Sequence, residues 1–186
     1  MKTIATSLDG LLILEPKVFE DERGYFLETY HGRRYRESGV ATSFVQDNLS
    51  FSKKDTLRGL HYQITQPQTK LVQVITGEIF DVAVDIRPGS TTFGKWAGVV
   101  LSEGNKRQLL VPEGFAHGFC VLSKAAHVAY KCSVFYNPAD EGGIRWSDPD
   151  IGIDWPVSNP ILSDKDRNFP CLEDLTPAQL FRGTSH

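Results

Sequence analysis

The sequence predicts an all-β fold, a sandwich or a barrel, and three observations carry that prediction. Short apolar stretches with period-two alternation follow one another from Leu11 to Tyr136. Turn signals built on Gly and Pro separate them: Asp21-Glu22-Arg23-Gly24, Thr76-Gly77, Arg87-Pro88-Gly89-Ser90 and Pro112-Glu113-Gly114. Helical signals are confined to a charged segment at Gly32–Ser38 and to Lys165–Asn168 and Pro177–Phe181. Many short strands with little helix must bury one face each, which a sandwich or barrel achieves. A length of 186 residues fits a single domain, 1–186.

Taken in order, Leu11–Leu14 is an apolar run that stops at Glu15-Pro16, and Tyr25–Tyr30 alternates as a strand after the first turn. Across Ser43–Ser52, alternation puts Gln46, Asn48, Ser50 and Ser52 on one face and Val45, Leu49 and Phe51 on the other. That is either an edge strand with its polar face in water or a polar row facing a ligand. The stretch 57–74 interrupts an apolar pattern with Arg58, His61 and Lys70. Each charge carries a desolvation penalty in a buried strand, so the stretch is either a solvated hairpin or a site.

Further along, Glu78–Ile86 sets Phe80, Val82, Val84 and Ile86 against Ile79, Asp81, Ala83 and Asp85, and Trp96–Leu101 and Arg107–Val111 continue the series. In Phe115–Leu122, His117 shares a face with Phe115, Phe119 and Val121, and in Ala126–Tyr136, Tyr130 shares one with Val128, Cys132 and Val134. His117 and Tyr130 are therefore expected to point inward. His61 and Gln63 have one parity and Arg58 the other, so a bulge or twist at Gly59 is required to aim Arg58 and His61 at one point. Beyond Asn137, Pro, Gly and Asp dominate.

Composition narrows the function. A net charge of −3 with no long Lys/Arg run argues against general nucleic-acid binding, which depends on phosphate neutralisation. No apolar run approaches the roughly 20 residues that span a bilayer, and the N-terminal stretch lacks the apolar region of a signal peptide. Cys120, Cys132 and Cys171 are odd in number without Cys-x-x-Cys spacing, as expected of a reduced, cytoplasmic protein.

Metal chemistry is half supported. Pro112-x-Gly114-x-x-His117 matches the later part of the metal-binding cupin pattern, but His61-Tyr62-Gln63 offers one imidazole where that pattern has two. With too few ligands for a transition metal, none is expected. Gly-x-Ser-x-Gly and Gly-x-Gly-x-x-Gly are both absent. What remains is acid/base chemistry on an anionic ligand. A histidine titrates at about pH 6.5 and suits a general base, Arg23, Arg58 and Lys70 suit phosphates, and Tyr130 is either a proton donor to a carbanion or a core tyrosine that is simply hydrogen-bonded.

A resemblance then becomes specific. Asp21-x-Arg23-Gly24-x-Phe26-x-Glu28, Gln46-x-Asn48-x-Ser50, Leu57-Arg58-Gly59-Leu60-His61-Tyr62-Gln63, Gly77-Glu78-x-x-Asp81-Val82-x-Val84-Asp85-Ile86-Arg87, Pro112-x-Gly114-x-x-His117-Gly118-Phe119, Ile153-x-Trp155-Pro156 and Leu162-Ser163-x-Lys165-Asp166 follow in order. The set resembles the dTDP-4-dehydrorhamnose 3,5-epimerases over nearly the whole chain. The resemblance implies a cupin jelly roll (a double-stranded β-helix barrel) with short peripheral helices, free of metal and cofactor and usually homodimeric. It implies epimerisation of dTDP-4-dehydro-6-deoxy-D-glucose at C3 and C5 on the way to dTDP-L-rhamnose.

By position, the resemblance makes His61 the base, Tyr130 the acid, Asp166 the partner of His61 and Lys70 the stabiliser of the enolate. Arg23, Phe26, Glu28, Gln46, Asn48, Arg58, His117, Glu141 and Lys165 are expected to line the nucleotide-sugar site, with the Arg23–Glu28 segment reaching a second copy's site. The expected partners are the nucleotide sugar and that second copy, with no nucleic acid or membrane. Competing readings are a mono-epimerase of an antibiotic-sugar pathway, a non-catalytic sugar-binding cupin and a metal-dependent cupin.

Overall fold

The computed structural model describes residues 1–181; the last five residues of the expected single domain lie outside the described residues. Strands run in the order β1 (Lys2–Ala5), β2 (Leu12–Glu15), β3 (Val18–Asp21), β4 (Gly24–Leu27), β5 (Gln46–Lys53), β6 (Leu57–Gln63), β7 (Lys70–Thr76), β8 (Glu78–Asp85), β9 (Trp96–Ser102), β10 (Gln108–Val111), β11 (Phe115–Val121), β12 (Ala125–Cys132) and β13 (Glu141–Gly143). The helices α1 (Gly32–Glu37) and α2 (Asp164–Arg167) are short, and 3₁₀ turns lie at Pro138–Asp140 and Leu172–Asp174.

Two antiparallel sheets make the jelly roll, one in the order β1-β2-β10-β7-β12-β5 and the other β13-β6-β11-β8-β9; β3 and β4 form a separate hairpin. The inner faces meet in one core. Val72, Val74, Leu109 and Val128 come from the first sheet, and Ile79, Ala83, Leu101, Phe115 and Phe119 from the second. The outer face of the second sheet is also covered. Leu60, Val82, Val84 and Ile86 pack under the C-terminal segment through Ile151, Trp155, Leu172 and Phe181. This double cover explains why every residue of β11 is buried and why its apolar run is nearly continuous. Tyr35 of α1 and Val40 cap part of the first sheet's outer face over Leu14, Leu71 and Leu110.

The structure corrects several expected boundaries. Pro177–Phe181 forms no helix but a turn, in which Gln179 and Leu180 both donate to the carbonyl of Thr176. One turn does not repay the cost of helix nucleation, and here packing holds it, with the Tyr62 hydroxyl donating to the Gln179 carbonyl at 2.8 Å. The strand expected over Tyr25–Tyr30 ends at Leu27, where its partner begins at Val18. The strand expected to reach Tyr136 ends at Cys132, because its pairing on both sides runs out there, opposite Gln46 and Lys70. In β5 the polar row faces inward, with Ser52 buried, whereas Leu49 and Phe51 are 67% and 53% exposed. All three cysteines are buried and free. Among the described residues, no helix is long and apolar enough to cross a membrane.

Candidate active site

A cavity of about 290 Å³ opens where strands of both sheets contribute inward side chains. From the first sheet come Gln46, Asn48 and Ser50 of β5, Lys70 of β7, and Tyr130 and Cys132 of β12. The second sheet supplies Arg58, His61 and Gln63 of β6, and His117 and Phe119 of β11; Tyr136, Glu141 and Lys165 complete the rim. Arg58 and His61 share the cavity because β6 bulges. His117 is opposite His61, yet Phe119 is opposite Arg58, so β6 spends one extra residue between them. Gly59 makes this turn with φ +129°, and a Cβ there would stand 2.5 Å from Gly118 Cα. Arg58 is held by Nε donating to Ser52 Oγ at 2.9 Å.

His61 Nε2 meets Asp166 Oδ1 at 2.5 Å. The carboxylate is presented by α2, which Ser163 caps by accepting from the Asp166 backbone N–H at 3.1 Å. A proton on Nε2, facing the carboxylate, leaves Nδ1 as the basic nitrogen. Burial lowers the His61 pKa against the opposing pull of Asp166, with Lys70 and Lys165 adding to the lowering. Asp166 also stays ionised. Burial raises its pKa, but the bonds from His61 and Ser163 and the charge of Lys165 outweigh that. The resting pair is neutral imidazole and carboxylate, a base ready to act at neutral pH.

Across the cavity stands the phenol of Tyr130. Burial raises the pKa of Tyr130, with Arg58 pulling the other way, so the phenol keeps its proton. The Lys70 pKa is lowered by burial, against the attraction of Cys132, Glu141 and Asp81. A second pair sits deeper, with His117 Nε2 and Asp81 Oδ1 2.7 Å apart. Asp81 is fully buried, and its other oxygen has no hydrogen-bond partner among the described residues. At the rim, Glu141 Oε2 accepts from Lys165 Nζ at 2.7 Å and from the Tyr136 hydroxyl at 3.2 Å. Gln46 accepts from the Tyr136 backbone at 2.9 Å and donates to Asn48, so the β5 row and the rim form one network. No group of three or more His, Cys, Asp or Glu among the described residues is arranged to hold a metal ion.

A model of the dTDP-4-dehydrorhamnose 3,5-epimerase family matches residues 5–174. The chain belongs to this family. It is 58% identical to the dTDP-4-dehydrorhamnose 3,5-epimerase of Shigella flexneri over 170 residues, 90% of this chain and 94% of that protein. The epimerase of Methanothermobacter thermautotrophicus is 55% identical over 174 residues, 92% of this chain and 94% of that one. Among solved structures, the dTDP-6-deoxy-D-glucose-3,5-epimerase of Legionella pneumophila, in complex with dTDP-4-keto-L-rhamnose, superposes with a TM-score of 0.95 at 51% identity, covering 99% of both chains.

Within this family member, the residues expected at the site divide into two groups. His61, Lys70, Tyr130, Gln46, Asn48, Arg58, His117, Glu141 and Lys165 line one cavity, and Asp166 joins it through His61. Arg23, Phe26 and Glu28 do not reach this cavity within one chain. Arg23 pairs with Asp21, Phe26 is 69% exposed, and Glu28 pairs with Arg34 at 3.3 Å. Sequence reasoning assigned no role to Asp81, Cys132 or Tyr136. Asp81 was findable, since it interrupts an inward face between Ile79 and Ala83. Tyr136 was hidden by the expectation that β12 continued through it.

Proposed function

We propose that this chain inverts C3 and C5 of dTDP-4-dehydro-6-deoxy-D-glucose to give dTDP-4-dehydro-L-rhamnose, the precursor of dTDP-L-rhamnose, with His61 as base and Tyr130 as acid. One observation carries the reading: base and acid stand on different sheets across one cavity. A sugar ring lying between them has a proton acceptor on one face and a donor on the other, which is what inversion of a carbon needs. C3 and C5 both flank the C4 ketone, so either proton can leave as an enolate forms. His61 Nδ1 takes the proton while Asp166 steadies the imidazolium, and Lys70 on β7 offers positive charge to the enolate oxygen. Tyr130 then delivers a proton to the opposite face. Exchange with solvent removes the proton from His61 and restores the one on Tyr130 before the second centre reacts.

Arg58 serves the diphosphate, since its guanidinium matches phosphate oxygens. The β3–β4 hairpin belongs to a homodimer in this reading, giving Arg23, Phe26 and Glu28 to the partner's site. Support comes from the outward row of β5 and β7, where Leu49, Phe51 and Ile75 are exposed large hydrophobics on one sheet. A fully active 20.8 kDa monomer in sedimentation would remove the dimer. Three free, buried thiols fit the reducing cytoplasm, where the reaction is placed.

The deciding experiment is proton NMR of the keto sugar with enzyme in D₂O. The wild type is expected to place deuterium at both C3 and C5 with inversion; deuterium at one carbon only would make it a mono-epimerase. Tyr130→Phe keeps the ring but removes the donor, so exchange should persist while inversion fails. Wild-type inversion by Tyr130→Phe would overturn the assignment of the acid.

A further inference from the structure

We propose that Phe169 is a positioning residue for the base: its ring, seated on Gly143, fixes the plane of the His61 imidazole and keeps water from one side of it. The inference rests on His61 being the base and adds a second support to the carboxylate of Asp166. Phe169 follows α2 by two residues, and its ring meets that of His61 edge to face, with centroids 5.7 Å apart and planes at 70°. A hydrogen bond at Nε2 fixes one atom of an imidazole but leaves the ring free to rock about it. An aromatic contact on the ring removes that freedom. The same short segment therefore holds His61 twice, by Asp166 at one nitrogen and by Phe169 against the ring.

The neighbour beneath shows that room has been made for this side chain. Gly143 of β13 is the cross-strand partner of His61. A Cβ built on Gly143 would overlap ring carbons of Phe169. Gly143 is not among the glycines with positive φ, so its backbone does not ask for glycine; the ring does. The segment is anchored on the same side, since Arg145 N donates to the Pro170 carbonyl at 2.8 Å and Arg145 Nε to the Phe169 carbonyl at 3.3 Å.

Phe169 differs in kind from the charged groups around His61. These are Asp166 and Lys165 from α2, Lys70 from β7, Glu141 on β13, His117 opposite on β11 and Arg58 on the same strand. An apolar ring acts only by excluding water and fixing orientation. Removing it admits water, which relieves the penalty on the charged imidazolium and raises the pKa of the base toward that of ordinary histidine.

The test is the pH profile of kcat/KM for Phe169→Ala, Phe169→Leu, Gly143→Ala and the Gly143→Ala/Phe169→Ala double variant, with dTDP affinity measured by calorimetry. In Phe169→Ala the acidic limb should move up by about half to one pH unit, a loss that approaches roughly three- to tenfold on the acid side of the limb and fades at neutral pH, with dTDP affinity unchanged. Phe169→Leu should shift the same way by less, and it carries the readout if the alanine variant does not fold. Gly143→Ala should displace the ring and be impaired. The double variant should be no slower than Phe169→Ala, because the ring that the new methyl strikes is gone. Superimposable pH profiles, or a double variant whose losses multiply, would overturn the proposal. His61→Asn separates the two readings: if it still exchanges substrate protons, the base itself is misassigned, and if it is inert while Phe169 and Gly143 variants behave as wild type, only this inference fails.

Discussion

Two histidine–aspartate pairs serve the same cavity and are built in opposite ways. His117 and Asp81 lie on adjacent strands, β11 and β8, where Asp81 is opposite Phe119 and His117 opposite Ala83. Their diagonal contact follows from sheet register. His61 and Asp166 are 105 residues apart, and their contact joins a strand to a short helix in the irregular C-terminal segment. The imidazole of His61 is 25% exposed and that of His117 only 9%. A base must return its proton to solvent at each turnover, so it needs an edge in water. The deeper pair gives up that access and gains rigidity. Its cost is a fully buried carboxylate with one oxygen unpartnered by the described residues.

This contrast breaks most sharply in activity. His61→Asn is expected to lose about 10²–10⁴-fold in rate, the usual contribution of a general base, and to stop deuterium exchange at C3 and C5 by NMR. His117→Asn should retain exchange, because it leaves the base in place. Equal and complete loss in both would erase the distinction.

Stability should rank the pairs the other way. His117→Ala strands Asp81 in the core and is expected to cost about 3–5 kcal/mol in urea unfolding, the usual penalty for breaking a buried pair. Adding Asp81→Ala should recover part of that loss. His61→Ala should cost clearly less, because Asp166 keeps Lys165 nearby and water can enter at the edge.

A smaller effect sharpens the electrostatics. Asp166→Asn removes the negative charge that favours imidazolium, so the His61 pKa should fall further below its ordinary value. The acidic limb of kcat/KM then moves to lower pH, while the plateau drops by about 10- to 100-fold as the base weakens and loses its orientation. An acidic limb that moves upward instead would show that Asp166 does not act through His61.

Much of this was legible in the chain. Alternation placed His117 and Tyr130 inward, and the parity conflict between Arg58 and His61 demanded an irregularity that the structure places at Gly59. The polar row of β5 was ambiguous, since alternation separates two faces without saying which one meets the core. Here the polar face turns inward, and Leu49 and Phe51 are left outside. The Pro177–Phe181 turn was misread because helical residue preferences say nothing about what the segment packs against.

The sequence by itself determined the all-β class, the positions of most central strands, the inward placement of His117 and Tyr130 and, through its ordered motifs, the family. Period-two alternation and turn chemistry are local, so they survive in a linear reading. Only the tertiary structure decided that Asp81 meets His117 and that Phe169 rests on Gly143, while the meeting of Asp166 with His61 and the distance of Arg23, Phe26 and Glu28 from the cavity of their own chain followed from the family resemblance and from no local pattern. Those facts depend on how two sheets and an irregular C-terminal segment close on one another. Contacts between residues far apart in the chain are fixed by packing as a whole and leave no periodic mark on either partner.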